Sequence, residues 1–341
     1  MSALAYRLAV TATLLFGLSC AAQAQPAAEF YKGRQLTLVV GHEVGNDYDL
    51  GARLLAKYLS KQLPGQPTIV VQNMPQAAAL AAANYIYVRA PRDGSVLGSI
   101  SRNLPSQAVM KLPNIEADAR RYNWLGGTSF PGRVCAVTAA APVQNIEDLF
   151  KQELLVGGVG VGSSTSIVPT VINKVLGTKF HLVEGYRGAG AIILAMQRGE
   201  VHAGCMSYGQ FRSHEHLFKE GKFKIILRAE ESEMAEAPGA PSIFDYAKTE
   251  EERQLMRFIF SSTEFGRPYI FPPDVPKERV QFMRGAIAKA VKDPNLLADA
   301  AKSRLDMSYR PPEHLERLVN KLYDTPPALM ERLKSISPNL R

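Results

Sequence analysis

The sequence predicts an α/β protein built as two lobes. Three observations carry that reading. Apolar runs alternate with helical stretches between residues 36 and 101, and the pattern restarts between residues 134 and 206. The chain of 341 residues is long for one core and comfortable for two.

Leu36–Val40 reads as a strand and Asp49–Gln62 as a helix, with Leu50, Leu54, Leu55, Tyr58 and Leu59 at helical spacing. Thr68–Gln72 is a second strand. Ala77–Val88 is an alanine-rich helix, the turn Pro91-Arg92-Asp93-Gly94 follows, and Val96–Ser101 is a third strand. This order predicts a mainly parallel sheet covered by helices. The second unit opens with the strand Val134–Thr138 and the short helix Ile146–Phe150. Leu154–Val159 is a strand that runs into a glycine- and serine-rich loop, and a helix follows to about Leu176. Lys179–Val183, Ala189–Arg198 and Val201–Met206 read as strand, helix and strand. Glu230–Glu252 reads as an acidic loop and "GRPYIFPPDVP" as extended chain. From Lys277 the chain reads as helices broken at Pro294, Pro311-Pro312 and Pro326-Pro327, capping the first lobe.

The first residues are set apart from the fold. Leu8 to Cys20 is apolar, and Ala22-Gln23-Ala24 supplies small residues at the positions a signal peptidase reads. The segment is too short for a membrane span, so a signal peptide cut after Ala24 is expected. A lipidated Cys20 is the alternative, and Gly17-Leu18-Ser19 fits a lipidation box poorly. The expected organisation is residues 1–24 as signal, 25–128 with 245–341 as the first lobe, and 129–244 as the second. The expected location is the periplasm.

The formal net charge is +8. A cationic excess attracts anionic solutes or nucleic acid. No basic run with interleaved aromatics and no nucleic-acid-binding signature accompanies it, so nucleic acid is not expected. Beyond Cys20 the cysteines are Cys135 and Cys205. They can pair in an oxidising compartment or stay as small buried hydrophobes, and the sequence leaves both open. No cluster has metal-ligand spacing, and no cofactor is expected.

Ligands of open parallel α/β sheets bind beyond the C-terminal strand ends, where helix N-termini attract anions. Three loops fit: Gly41–Asp49, Ser101–Ser106 and Gly160–Ser166. In the first, Asp47 and Asp49 can cap the helix, whereas His42 and Glu43 are poor turn residues. In the third, Gly158, Gly160 and Ser163, with Glu184 beyond, approximate a dinucleotide fingerprint that lacks its third glycine. A small-anion site of glycine amides with the Ser163, Ser164 and Thr165 hydroxyls is preferred. Ser207 in "GCMSYGQ" fails the nucleophile-elbow pattern because Cys205 stands where glycine is needed. His214, Glu215 and His216 read as a solvated face.

Together these stretches resemble the solute-binding proteins of tripartite tricarboxylate transporters, the Bug or TctC-like family. The matching residues are "EFYKGRQLTLVVG", "DYDLGARLLAKYLSKQLPGQPTIVVQNMP", "AANYIYVRAPRDGSVLG", "VGGVGVGSSTSIVPTVINKVLG", "GYRGAGAIILAMQRGEVHAG", "GRPYIFPPDVPKERV" and "KDPNLLADAAK". The resemblance implies a type II periplasmic-binding-protein (Venus flytrap) fold that is no enzyme. It closes on a small organic acid and delivers it to permease subunits, and it is expected as a monomer. On this reading His42, Glu43, Asn46, Asp47, Tyr48, Asp49, Gln76, Ser101 and Arg102 face the ligand from one lobe. Ser163, Ser164, Thr165, Tyr186, Gly188 and Tyr208 face it from the other, with Phe211 either at an aromatic ligand or in the core. The loops "HEVGND" and Gln76-Ala77-Ala78-Ala79 replace glycine-rich family loops. Glu43 and Asp47 repel a simple anion if they point inward, which favours a carboxylate carrying a hydroxyl or amine, or an aromatic acid. The competing readings are a binding protein that presents solute to a signalling partner, an exported enzyme using His42 with Glu43 or Asp47, and a dinucleotide-dependent oxidoreductase.

Overall fold

The computed structural model describes residues 26–336, apart from residues 78, 129–131, 161–162, 232, 235 and 304. The expected signal peptide, its cut after Ala24 and the Cys20 alternative lie outside the described residues. Among the described residues no helix is long and apolar enough to cross a membrane.

The strands are β1 (Leu36–Val40), β2 (Ile69–Asn73), β3 (Val96–Ser99), β4 (Asn123–Thr128), β5 (Arg133–Thr138), β6 (Leu154–Gly158), β7 (Phe180–Glu184), β8 (Ala203–Ser207), β9 (Phe223–Arg228), β10 (Arg267–Phe271) and β11 (Tyr309–Arg310). They form two sheets, ordered β11-β4-β10-β3-β1-β2 and β7-β6-β8-β5-β9. In the first, β1 lies parallel to β2 and β3, and β10 runs antiparallel to β3 and β4. In the second, β6 lies parallel to β7 and β8, and β5 runs antiparallel to β8 and β9. The expectation of mainly parallel sheets is therefore corrected: both are mixed. Strands β5 and β10 each enter a sheet as the chain arrives from the other one, against the direction of their parallel neighbours.

The helix Asp47–Gln62 begins two residues before the expected start. Asn46, not an aspartate, is its cap, accepting from the Tyr48 amide at 2.9 Å. Its buried stripe of Ala52, Leu55 and Leu59 shares a core with Met283 and Ile287 of the helix Lys277–Ala290. Leu50, expected on that stripe, faces outward. The alanine-rich stretch is a short helix, Leu80–Asn84, that widens into a π turn at Tyr85–Arg89. Ala77 and Ala79 hold left-handed backbone with φ of 53° and 74°. Glycine takes that conformation without strain, so this loop keeps a glycine's geometry without glycines.

Three further differences are local. The expected acidic loop ends in a helix, Glu250–Phe260, opened by a Thr249–Glu252 capping box. The proline-rich run supplies the central strand β10. The last helix, Pro327–Ile336, reaches the second lobe, where the Lys174 Nζ donates to the Ile336 carbonyl at 2.6 Å. Cys135 and Cys205, directly opposed on β5 and β8, form a disulfide.

Candidate functional site

The loop after β1 is shaped by a buried carboxylate. Asp49 is 1% exposed and accepts from the Gly45 amide at 2.9 Å, the Arg53 Nε at 2.9 Å and the Asn73 Nδ2 at 2.9 Å. Burial pushes its carboxyl up, and those donors outweigh burial and hold it below its ordinary value. Asp49 was expected both as a helix cap and at the ligand; here its carboxylate is engaged by these protein donors. Asn73 also donates to the His42 carbonyl at 2.9 Å. The His42 ring stacks on Tyr48 with centroids 3.7 Å apart, and its Nδ1 has no partner among the described residues. Burial, then the Arg102 charge, lower its pKa to about 4, so the imidazole is neutral at neutral pH. Glu43 points to solvent. Among the described residues no hydrogen bond or ion pair joins His42 to Glu43 or Asp47.

Tyr48 leads to the centre of the molecule. The Arg102 amide donates to its hydroxyl at 3.3 Å, and the hydroxyl donates to the Gly266 carbonyl at 3.4 Å. Arg102 follows β3, and Arg133 is the first residue of β5. The two guanidiniums, one from each lobe, line a single cavity of about 440 Å³ with Ser101, Ser106, Ser164 and Ser262. Arg133 is 5% exposed, its Nη2 donates to the Ser262 Oγ at 3.3 Å, and its Nε has no partner among the described residues. Burial, then the neighbouring Arg102 charge, lower the Arg133 pKa to about 9. Burial likewise lowers that of Arg102, with Tyr48 and Glu230 opposing. A guanidinium keeps its proton in a protein, so both shifts describe charge held against the cost of burial.

A second cavity, of about 590 Å³, lies between Asn46, Asp47 and Tyr48 of the first lobe and Gly190, Ser207 and His214 of the second. Arg267, the first residue of β10, closes it. Arg267 is 1% exposed and donates to the Thr128 Oγ1 at 3.2 Å and to the Asp306 carbonyl. A side chain on Gly51 would place its Cβ 3.3 Å from the Arg267 Nε, so the helix keeps glycine where the guanidinium crosses it.

The other expected residues divide. Ser164 reaches the first cavity. Ser163, Thr165 and Ser166 are turned on their own loop: the Val159 amide donates to the Thr165 Oγ1 at 3.0 Å, the Gly160 amide donates to the Ser166 Oγ at 3.2 Å, and Ser163 bonds to Thr165 at 2.8 Å. The small-anion site expected of the glycine amides with the Ser163, Ser164 and Thr165 hydroxyls therefore has two of its three hydroxyls, Ser163 and Thr165, bonded within the loop. A Cβ on Gly158 would sit 2.5 Å from the Ser166 Oγ. Gln76 is exposed and lines neither cavity. Tyr186 and Gly188 lie at the end of β7 and line neither cavity. Tyr208 lines a separate pocket with Phe218 and Pro238, and Phe211 is core. Arg133, Arg267, Glu230 and Ser262 were missed. The signal for the arginines is present as "GRV" and "GRP", a Gly-Arg pair opening each strand that crosses between the lobes.

Residues 51–334 match the family described as the tripartite tricarboxylate transporter family receptor, TctC. The chain belongs to this family. A relative from Cupriavidus necator, a UPF0065 protein in the gbd 5′ region, is 24% identical over 94% of each chain. A TctC solute-binding protein from Polaromonas superposes with a TM-score of 0.69 at 19% identity, covering 89% of this chain and 99% of that one. A protein of R. palustris solved with adipate superposes with a TM-score of 0.57 at 18% identity, covering 90% and 97%. The two-lobed periplasmic-binding-protein fold is shared with them.

In this TctC-family chain Glu230 sets a pH dependence. Its Oε1 accepts from the Arg133 amide at 3.1 Å. Burial pushes its carboxyl up to about 7, against the Arg133 and Arg102 charges that pull it down, while Glu264 adds to the rise. The folded state therefore favours the protonated acid. That stability is full below the ordinary value of 4.5 and is lost as pH rises through 7. His42 acts oppositely: its stabilisation is present above 6.5 and is lost as pH falls toward 4. Urea melts of Glu230→Gln are expected to show about 2 kcal/mol less loss of stability between about pH 5 and 8 than the parent. Parallel pH profiles for the two proteins would reject this role.

Proposed function

We propose that the protein is an extracytoplasmic receptor that captures a small organic acid between its lobes and delivers it to a tripartite tricarboxylate-type permease. The observation that carries the reading is the pair Arg102 and Arg133, brought from opposite lobes onto one cavity. Guanidiniums bind carboxylates through charge-assisted, often bidentate hydrogen bonds. A carboxylate placed there can accept hydrogen bonds from both arginines at once and tie the lobes together, so binding favours the closed clamp. The family membership supports delivery to a permease, and the adipate-bound relative supports a carboxylate as cargo. Export fits the amino-terminal signal pattern.

A thermal-shift screen against organic acids, amines, sugars and nicotinamide cofactors tests the reading. A ligand that binds only the folded clamp stabilises it by about 2.7 kcal/mol at 100 times its Kd. The expected outcome is a rise with one group of carboxylates, and the ligand recovered unchanged after incubation. A response confined to amines, sugars or cofactor, or chemical turnover of the acid, would replace this reading.

A further inference from the structure

We infer that the cargo is a monocarboxylate with an apolar body, rather than a di- or tricarboxylate. The inference rests on the organic-acid reading above and narrows it. The Arg102–Arg133 cavity is cationic at one set of residues only. The rest of its wall includes Met110, Ile115, Ile167, Val168, Phe258 and Phe260. No acidic side chain lines it among the described residues, and its uncharged polar lining is Ser101, Asn103, Ser106, Gln107, Ser164 and Ser262.

Two consequences follow from that division. An apolar chain or ring beyond the carboxylate leaves water for side chains of its own kind, which is favourable for each methylene buried. A second carboxylate has no comparable partner, and burying a charge without one is costly. The neighbouring cavity offers it no better place, since Asp47 and Asp306 stand in its wall. There Arg267 is already engaged with Thr128 and the Asp306 carbonyl. At about 440 Å³ the first cavity falls in the range of roughly 300–1,000 Å³ that encloses small ligands.

Hexanoate and adipate have the same carbon count and differ by the second carboxylate, so calorimetric titration of the purified protein with each separates the readings. Hexanoate is expected to bind at least about tenfold tighter than adipate, and affinity should rise about fourfold per methylene from butanoate to hexanoate. Ile167 stands on the second turn of the helix Ser164–Leu176. Ile167→Arg places a cation in the apolar wall, and it should gain about tenfold for adipate while losing hexanoate. Adipate binding as tightly as hexanoate to the parent protein would overturn the monocarboxylate inference and leave the organic-acid reading standing. Binding of neither acid, nor of any other carboxylate in the wider screen, would overturn both.

Discussion

Arg133→Met is expected to weaken carboxylate binding by about 100-fold while leaving the ligand-free protein at least as resistant to heat as the parent. The two halves of that result have one cause. Arg133 is 5% exposed at the start of β5, beside the Arg102 guanidinium. Without an anion the pair repels in a setting that screens charge poorly, and the fold bears the desolvation of both groups. Methionine follows much of the same path through the core and removes the repulsion. The losses are the contact to the Ser262 Oγ and the charge that opposes protonation of Glu230, whose carboxyl then rises further and stays neutral. With an anion present the balance reverses, because the guanidinium supplies charge-assisted donors that methionine lacks. Arg133→Lys should recover part of the affinity, as a point charge without the forked donor geometry. Calorimetry and thermal melts on the same preparations read both effects. A melting temperature that falls by several degrees with affinity intact would make Arg133 a structural residue and remove the carrier of the proposed function.

Much of the fold was legible because it rests on local rules. The strand and helix alternation of each lobe follows from apolar periodicity, and the proline breaks fix the terminal helices at Lys277–Ala290, Pro294–Lys302, Pro312–Tyr323 and Pro327–Ile336. The strands that escaped notice are those whose sequence hides them. Strand β4 carries Gly126 and Gly127, which dilute its apolar signal, and β9 has Lys224 and Arg228 in its run. The site was legible only in part. Ser101, Arg102 and Ser164 line the first cavity, and Asn46, Asp47 and Tyr48 the second. Asp49 and Thr165 line neither because each is consumed by the amides of its own loop, a choice that spacing cannot reveal. Arg133 was missed for the converse reason. An arginine at the head of a strand reads as surface, and only the meeting of β5 with the other lobe turns it inward. Glu43 illustrates the same limit: its charge was expected to repel a ligand only if it pointed inward, and its side chain is exposed. Residues that satisfy their neighbours and residues that face a ligand are the same types in sequence; tertiary contact alone separates them.

Replacing both bridge cysteines, Cys135→Ala with Cys205→Ala, is expected to cost about 4 kcal/mol of stability, the largest effect among single structural features of the second lobe. The bridge closes a span of 70 residues that holds β6, β7 and the helices Ser164–Leu176 and Ala189–Arg198. In the loop-closure account, a tie across so long a span removes much of the unfolded chain's freedom. Both sulfurs are fully buried, so alanine also forfeits packing in the centre of the sheet. The bridge lies two residues along from the Arg133–Ser207 pair at the cleft end of the same two strands. Side chains two apart on a strand share a face, so Cys135 and Arg133 point to the same side of the sheet. The ladder between β5 and β8 fixes that register by itself, as Ala136 and Gly204 pair beyond the bridge. The double variant should therefore unfold at lower urea yet, when folded in the cold, bind the carboxylate within about threefold of the parent, well under the tenfold that each 1.4 kcal/mol represents. A thiol reductant acting on the native parent should expose cysteines to maleimide only as fast as the lobe unfolds, since nothing smaller than unfolding brings water to the sulfurs. A stability loss under about 1 kcal/mol would show that the ladder and core, not the bridge, hold this lobe. A folded variant with its affinity lost would show instead that the bridge is what aims Arg133 into the cleft.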